Sequence, residues 1–85
     1  MSRVSIPKTT PECDQLLSIV LSGLKSNPFE ANKKISARVA LKRLRKNRCV
    51  KAIEYIMHFS SEFPPIDFFA REICDTATEY LNELS

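Results

Sequence analysis

The 85 residues suffice for one small domain, and a hydrophobic share of 44% gives that domain a core and argues against wholesale disorder. A single glycine disfavours β-hairpins and phosphate-cradling loops, which both depend on positive φ. The net charge of +3 is modest but unevenly spread: residues 33–51 hold nine of the thirteen Lys and Arg and no acid, whereas seven acids face Arg71 alone from Glu54 onward.

Residues 1–9 are polar, with Pro7 and little periodicity, and read as a flexible tail ahead of a single domain over 10–85. Thr10, Pro11, Glu12 and Asp14 together make a helix start: a cap, a proline where its missing N–H goes unneeded, and acids at the positive dipole end. Cys13, Leu16, Leu17, Val20, Leu21 and Leu24 then keep one apolar stripe, which predicts a helix over about 11–26. Ile19 lies off this stripe, either as a second contact face or as a stray apolar residue.

Asn27-Pro28-Phe29-Glu30 repeats the start signal. Beyond it, Ala37, Ala40, Leu41 and Leu44 cluster on one side, and Cys49, Val50, Ile53, Ile56 and Met57 on nearly the opposite side. A flip within five residues predicts a break near Asn47, and so helices over about 34–46 and 48–60. Ile35 and Val39 share the later phase, which keeps one unbroken helix as the alternative. Pro64-Pro65 ends the third helix. Ile66, Phe69, Ala70, Ile73, Cys74, Ala77, Tyr80, Leu81 and Leu84 predict a last helix over about 65–84, with Glu72, Asp75, Glu79 and Glu83 on its outer side. The fold class is therefore all-α, a small bundle of three to four helices. Most of its core is expected from the stripes of 13–24 and 66–84, with antiparallel neighbours across the short loops.

Cys13, Cys49 and Cys74 are odd in number, lack a C-x-x-C pair and sit on or beside apolar stripes. They read as buried free thiols in a reducing compartment, cytoplasmic or nuclear. No stretch is apolar enough for a signal peptide or a membrane span, so no membrane partner is expected.

The basic segment is the main candidate site. Lys34, Arg38, Lys42, Arg45 and Lys46 share about a third of a helix circumference, and Arg43, Arg48 and Lys51 widen the patch. Spacing of about 5–6 Å per turn suits contact with successive phosphates, blind to base sequence. The same residues also suit a solvated face, an acidic protein or peptide, or pairing with the acidic last helix. No Phe, Tyr or Trp interrupts 33–51, so stacking on single strands is disfavoured.

Tyr55, Phe59, Phe63, Phe68 and Phe69 crowd around the proline linker and read mainly as core. Phe68 and Phe69 point about 100° apart, so one of them, with Tyr55, is a candidate aromatic anchor for a partner. His58 is the one histidine and reads as structural or exposed. With no catalytic, metal or cofactor pattern, the chain reads as a non-catalytic interaction module, an adaptor or regulatory subunit that docks a larger protein. The alternative is a nucleic-acid-binding protein that uses 33–51 on a duplex. A homodimer is a further expectation, because Ile19, one of the Ile35/Val39 and Leu41/Leu44 faces, and Phe68 or Phe69 exceed what one core needs.

Overall fold

The computed structural model describes residues 11–85; the expected tail of 1–9 and the Thr10 cap lie outside the described residues. Four helices follow one another: α1 Pro11–Lys25, α2 Ala31–Lys46, α3 Val50–Ser61 and α4 Phe68–Leu84. No strand occurs among the described residues. Pro11 occupies the first position of α1 with Glu12 and Asp14 in its first turn, as its chemistry dictates.

Contacts between the helices fix their directions. The Cys13–Cys49 bond joins the start of α1 to the end of the α2–α3 turn, while Gly23, late in α1, lies against Ala37 and Lys33, early in α2. Hence α1 and α2 are antiparallel. Arg38 pairs with Glu72 and Arg45 with Glu83, so α2 and α4 ascend together. Lys25 sits over the Phe59 ring, which sets the ends of α1 and α3 side by side. The topology is up-down-up-down, with antiparallel neighbours as short loops require.

All four helices fill the core. Its largest fully buried side chains are Leu41, Leu44, Ile53, Ile56, Ile73 and Val20, so the middle of the chain contributes as much as the two outer stripes. The opposed phases of 37–44 and 49–57 are reconciled by chain reversal at 47–49: each stripe faces the same interior. Ser60, the one buried polar residue among those described, donates its hydroxyl to the Ile56 carbonyl at 2.7 Å and is thereby satisfied.

That reversal is built as a Schellman cap. Cys49 N–H donates to the Leu44 carbonyl (2.9 Å) and Arg48 N–H to that of Arg45 (3.0 Å). The motif requires a left-handed residue at its corner, and Arg48 supplies it with φ 56° where glycine is usual. The break near Asn47 is thus as the sequence implies, although α3 begins at Val50, two residues later than its periodicity suggests.

Two boundaries differ for the same reason, a turn that uses up the start signal. The Asn27 side chain accepts from Phe29 N–H (2.8 Å), and the Glu30 carboxylate accepts from Asn27 N–H (3.1 Å). This closed turn ends at Glu30, so α2 starts at Ala31 instead of near 34. Similarly, the Pro64 carbonyl accepts from Asp67 N–H (2.9 Å), and Asp67 caps α4 through Ala70 N–H (3.0 Å). Ile66 therefore precedes α4 and is exposed, contrary to its expected place in the core stripe.

The cysteines correct a second expectation. Cys13 and Cys49, 36 residues apart, form a disulfide with Cα atoms 6.0 Å apart, and only Cys74 is a free thiol. Two of the three residues are thus cross-linked and not free thiols, so they do not point to a reducing compartment. No helix among the described residues is long and apolar enough to cross a membrane.

Candidate functional site

Helix α2 carries three distinct faces, and at about 100° per residue each follows from position. Ala37, Ala40, Leu41 and Leu44 point inward and are buried. Lys34, Arg38 and Arg45 flank them on the side of α4. Arg38 donates two hydrogen bonds to the Glu72 carboxylate, at 2.6 and 3.0 Å, and its guanidinium lies 5.2 Å from the centre of the Phe69 ring. Arg45 repeats the arrangement two turns on, bonded to Glu83 at 2.6 Å and 5.3 Å from the centre of the Tyr80 ring. Lys34 lies over Phe69 and donates to the Ser26 hydroxyl. The hydrogen bonds hold Glu72 below the usual carboxylate range and raise Arg38 and Arg45 further.

So three of the eight basic candidates are engaged by partners within the chain, on its surface. Lys42, Arg43, Lys46, Arg48 and Lys51 form no ion pair among the described residues, and all five are exposed. They gather on the last turns of α2, the Arg48 corner and the start of α3. Cations at the end of α2 also complement its dipole, which is a structural reason for some of them.

The third face of α2 looks away from the core. Ile35 and Val39 lie there, 54% and 50% exposed, roughly half a turn from Leu41 and Leu44. This settles which of the two apolar faces is surplus: Leu41 and Leu44 are interior, Ile35 and Val39 are not. Beside them α1 contributes Leu16 and Ile19, and the two helices enclose a groove of about 330 Å³ also lined by Ser36, Ala40 and Arg43. An adjoining hollow of about 190 Å³ extends it past Ser22 and Asn32 to Lys33. Arg43 and Lys33 are the charged residues lining the two hollows, and no acid lines either. Gly23 draws the two walls together: a Cβ there would lie 2.5 Å from that of Ala37, so only glycine lets α1 and α2 approach this closely.

The aromatic candidates separate. Tyr55 stacks on Phe59 (centroids 6.2 Å apart), and Phe59 meets Phe63 edge-on at 5.4 Å. Tyr55 nevertheless remains 53% exposed, and Phe68 is 73% exposed with Phe69 turned in under Lys34 and Arg38. Phe29, at 93% exposed, is the aromatic that periodicity misses. Its signal is local: a phenylalanine between Pro28 and Glu30 in a closed turn has no helix face through which to be buried.

His58 is exposed, and the Cys74 thiol, half-buried, donates to the Met57 carbonyl (3.6 Å). Among the described residues no three His, Cys, Asp or Glu side chains assemble around a common metal position. The chain matches no protein-family model, no curated protein and no solved structure.

Proposed function

We propose that this chain is a non-catalytic interaction module, which docks a larger protein on the outer face of the α1–α2 hairpin. One observation carries this reading. Ile35 and Val39, two β-branched aliphatics, are held half in water beside Ile19, on a helix whose other faces already build the core and brace α4. Burying such a face would gain about 25 cal/mol per Å² of apolar surface. Basic side chains beside it give orientation and on-rate in addition. A photo-crosslinking residue at position 39 tests this in lysate of the source cells. Attachment to one protein from position 39, and none from position 79 on α4, is the expected result. Equal yields from both positions would overturn it.

A second reading rests on a different observation, the five cations around the Arg48 corner that form no ion pair among the described residues. Contacts from these residues to the phosphates of a duplex would be salt-sensitive and indifferent to sequence. The discriminating variant is a charge reversal of Lys42, Arg43 and Lys46, which leaves Arg38 and Arg45 to hold α4. Duplex binding that falls about a thousandfold between 50 and 200 mM salt and disappears in this variant would favour nucleic acid. Absence of binding at low salt removes that reading.

A further inference from the structure

The α1–α2 groove has an internal polarity that specifies its occupant. Along the outer face of α2, Ile35 and Val39 come first and Arg43 lies one turn further on, a row of about 12 Å at 1.5 Å per residue. Lys42 and Lys46 stand beside this end, and neither has an ion-pair partner among the described residues. Lys33 borders the opposite end, but its ammonium is paired with Glu30 at 3.1 Å, so the face is apolar with a compensated cation at one end and carries unpaired cations at the other.

Resting on the docking role proposed above, we infer that the occupant is a single amphipathic helix of another protein, with aliphatic anchors followed by an Asp or Glu about one turn beyond them. A helix is favoured over a strand by the shape of the surface. Both walls are α-helices whose backbone groups are bonded internally, so no free edge accepts an extended peptide. A valley between two packed helices instead accepts the side-chain ridge of a third. The acid follows from complementarity. Anchors seated on Ile19, Ile35 and Val39 place the next turn of the ligand over Arg43. A cation there would meet uncompensated positive charge, whereas a carboxylate can bond to the guanidinium. A second copy of this chain fits the face less well, because α2 would meet it with cations and has no acid of its own.

A helical peptide library tests this on the full chain. The scaffold is an 18-residue amphipathic helix with leucines at three positions along one face, and the flanking positions are randomised between Glu and Lys. Selection on the wild type is expected to enrich Glu after the last anchor. The Glu-flanked peptide should bind at least tenfold tighter than its Lys-flanked twin at low salt, and lose its binding to Val39→Asp. Arg43→Glu should reverse the preference. If both peptides bind equally through Val39, the groove remains a docking site but its proposed acidic ligand is wrong. If no peptide binds and sedimentation shows a dimer that Val39→Asp splits, a second copy covers the face and the inference fails. If no peptide binds and the chain is monomeric, both this inference and the docking reading fall.

Discussion

Arg38 and Glu72, 34 residues apart, are joined by a two-pronged hydrogen bond while the Arg38 guanidinium covers the Phe69 ring. The pair shows that one basic helix does two things. Part of its charge secures α4 to α2, and the remainder is left outside beside an apolar groove. Counting the cations as a single patch would merge these roles, so mutations on the two sides of α2 should behave differently.

The ion pair has a pH signature. Glu72 titrates below its ordinary range when folded, because the Arg38 hydrogen bonds favour its charged form. Its contribution is therefore fully present above the unfolded carboxylate value, about 4.3, and is lost as pH falls through the lower folded value. Both side chains are more than a third exposed, so screening limits the effect to about 0.5 kcal/mol. Urea unfolding of Glu72→Gln beside wild type should show that difference at pH 7, and the difference should shrink as pH falls below the ordinary carboxylate range.

Gly23 offers a sharper test of packing. In an exposed helix interior, Gly→Ala stabilises by about 1 kcal/mol. Here the new methyl group would meet the Ala37 Cβ at 2.5 Å and the Lys33 carbonyl at 2.8 Å, so α1 and α2 would have to separate. Gly23→Ala is expected to lower stability by about 1–3 kcal/mol, read from the urea midpoint. A gain would mean that the two helices are not in such close contact.

The Arg48 corner should respond in the opposite sense. A side chain in the left-handed region costs about 1 kcal/mol that glycine avoids. Arg48→Gly is therefore expected to raise stability by about 0.5–1 kcal/mol, whereas a β-branched residue such as valine should lower it. Calorimetric melting of the two variants distinguishes these directions.

Much of this architecture was legible in the sequence. Pro11 and the phase flip between Leu44 and Cys49 mark the helix start and the chain reversal, because both are local events. Whether Leu41/Leu44 or Ile35/Val39 faced inward was not legible, since both pairs keep a helical period and only the packing of the other helices decides. Pairing of the basic segment with the acidic last helix was among the readings it allowed, but that Arg38 and Arg45 in particular would make those pairs was hidden for the same reason. Ile66 misled because it continues the period of α4 beyond the point where Pro64 and Asp67 stop the helix. The Cys13–Cys49 bond was illegible because their spacing of 36 residues acquires meaning only once α1 and the α2–α3 turn lie side by side.

That bond closes a long loop of chain, which limits the unfolded state. Reduction is expected to cost about 2–4 kcal/mol on a chain-entropy estimate. Melting with and without a phosphine reductant checks this, and the Cys13→Ser/Cys49→Ser variant should melt at the reduced value under both conditions. Cys74 bridges nothing, so Cys74→Ser should leave the difference intact.

On the docking role proposed above, the outer face of α2 serves a partner and not the core. This is tested most directly by an Ile35→Ser/Val39→Ser variant, unfolded in urea and assayed for capture of the protein that crosslinks from position 39. Half-exposed side chains hold little of the fold, so the double change should lower stability by no more than about 1 kcal/mol, against about 2–4 kcal/mol for Leu41→Ala. Capture should fall at least tenfold while the protein stays folded. Unchanged capture would mean that the partner does not bind through this face, and a loss of stability as large as that of Leu41→Ala would mean that Ile35 and Val39 belong to the core.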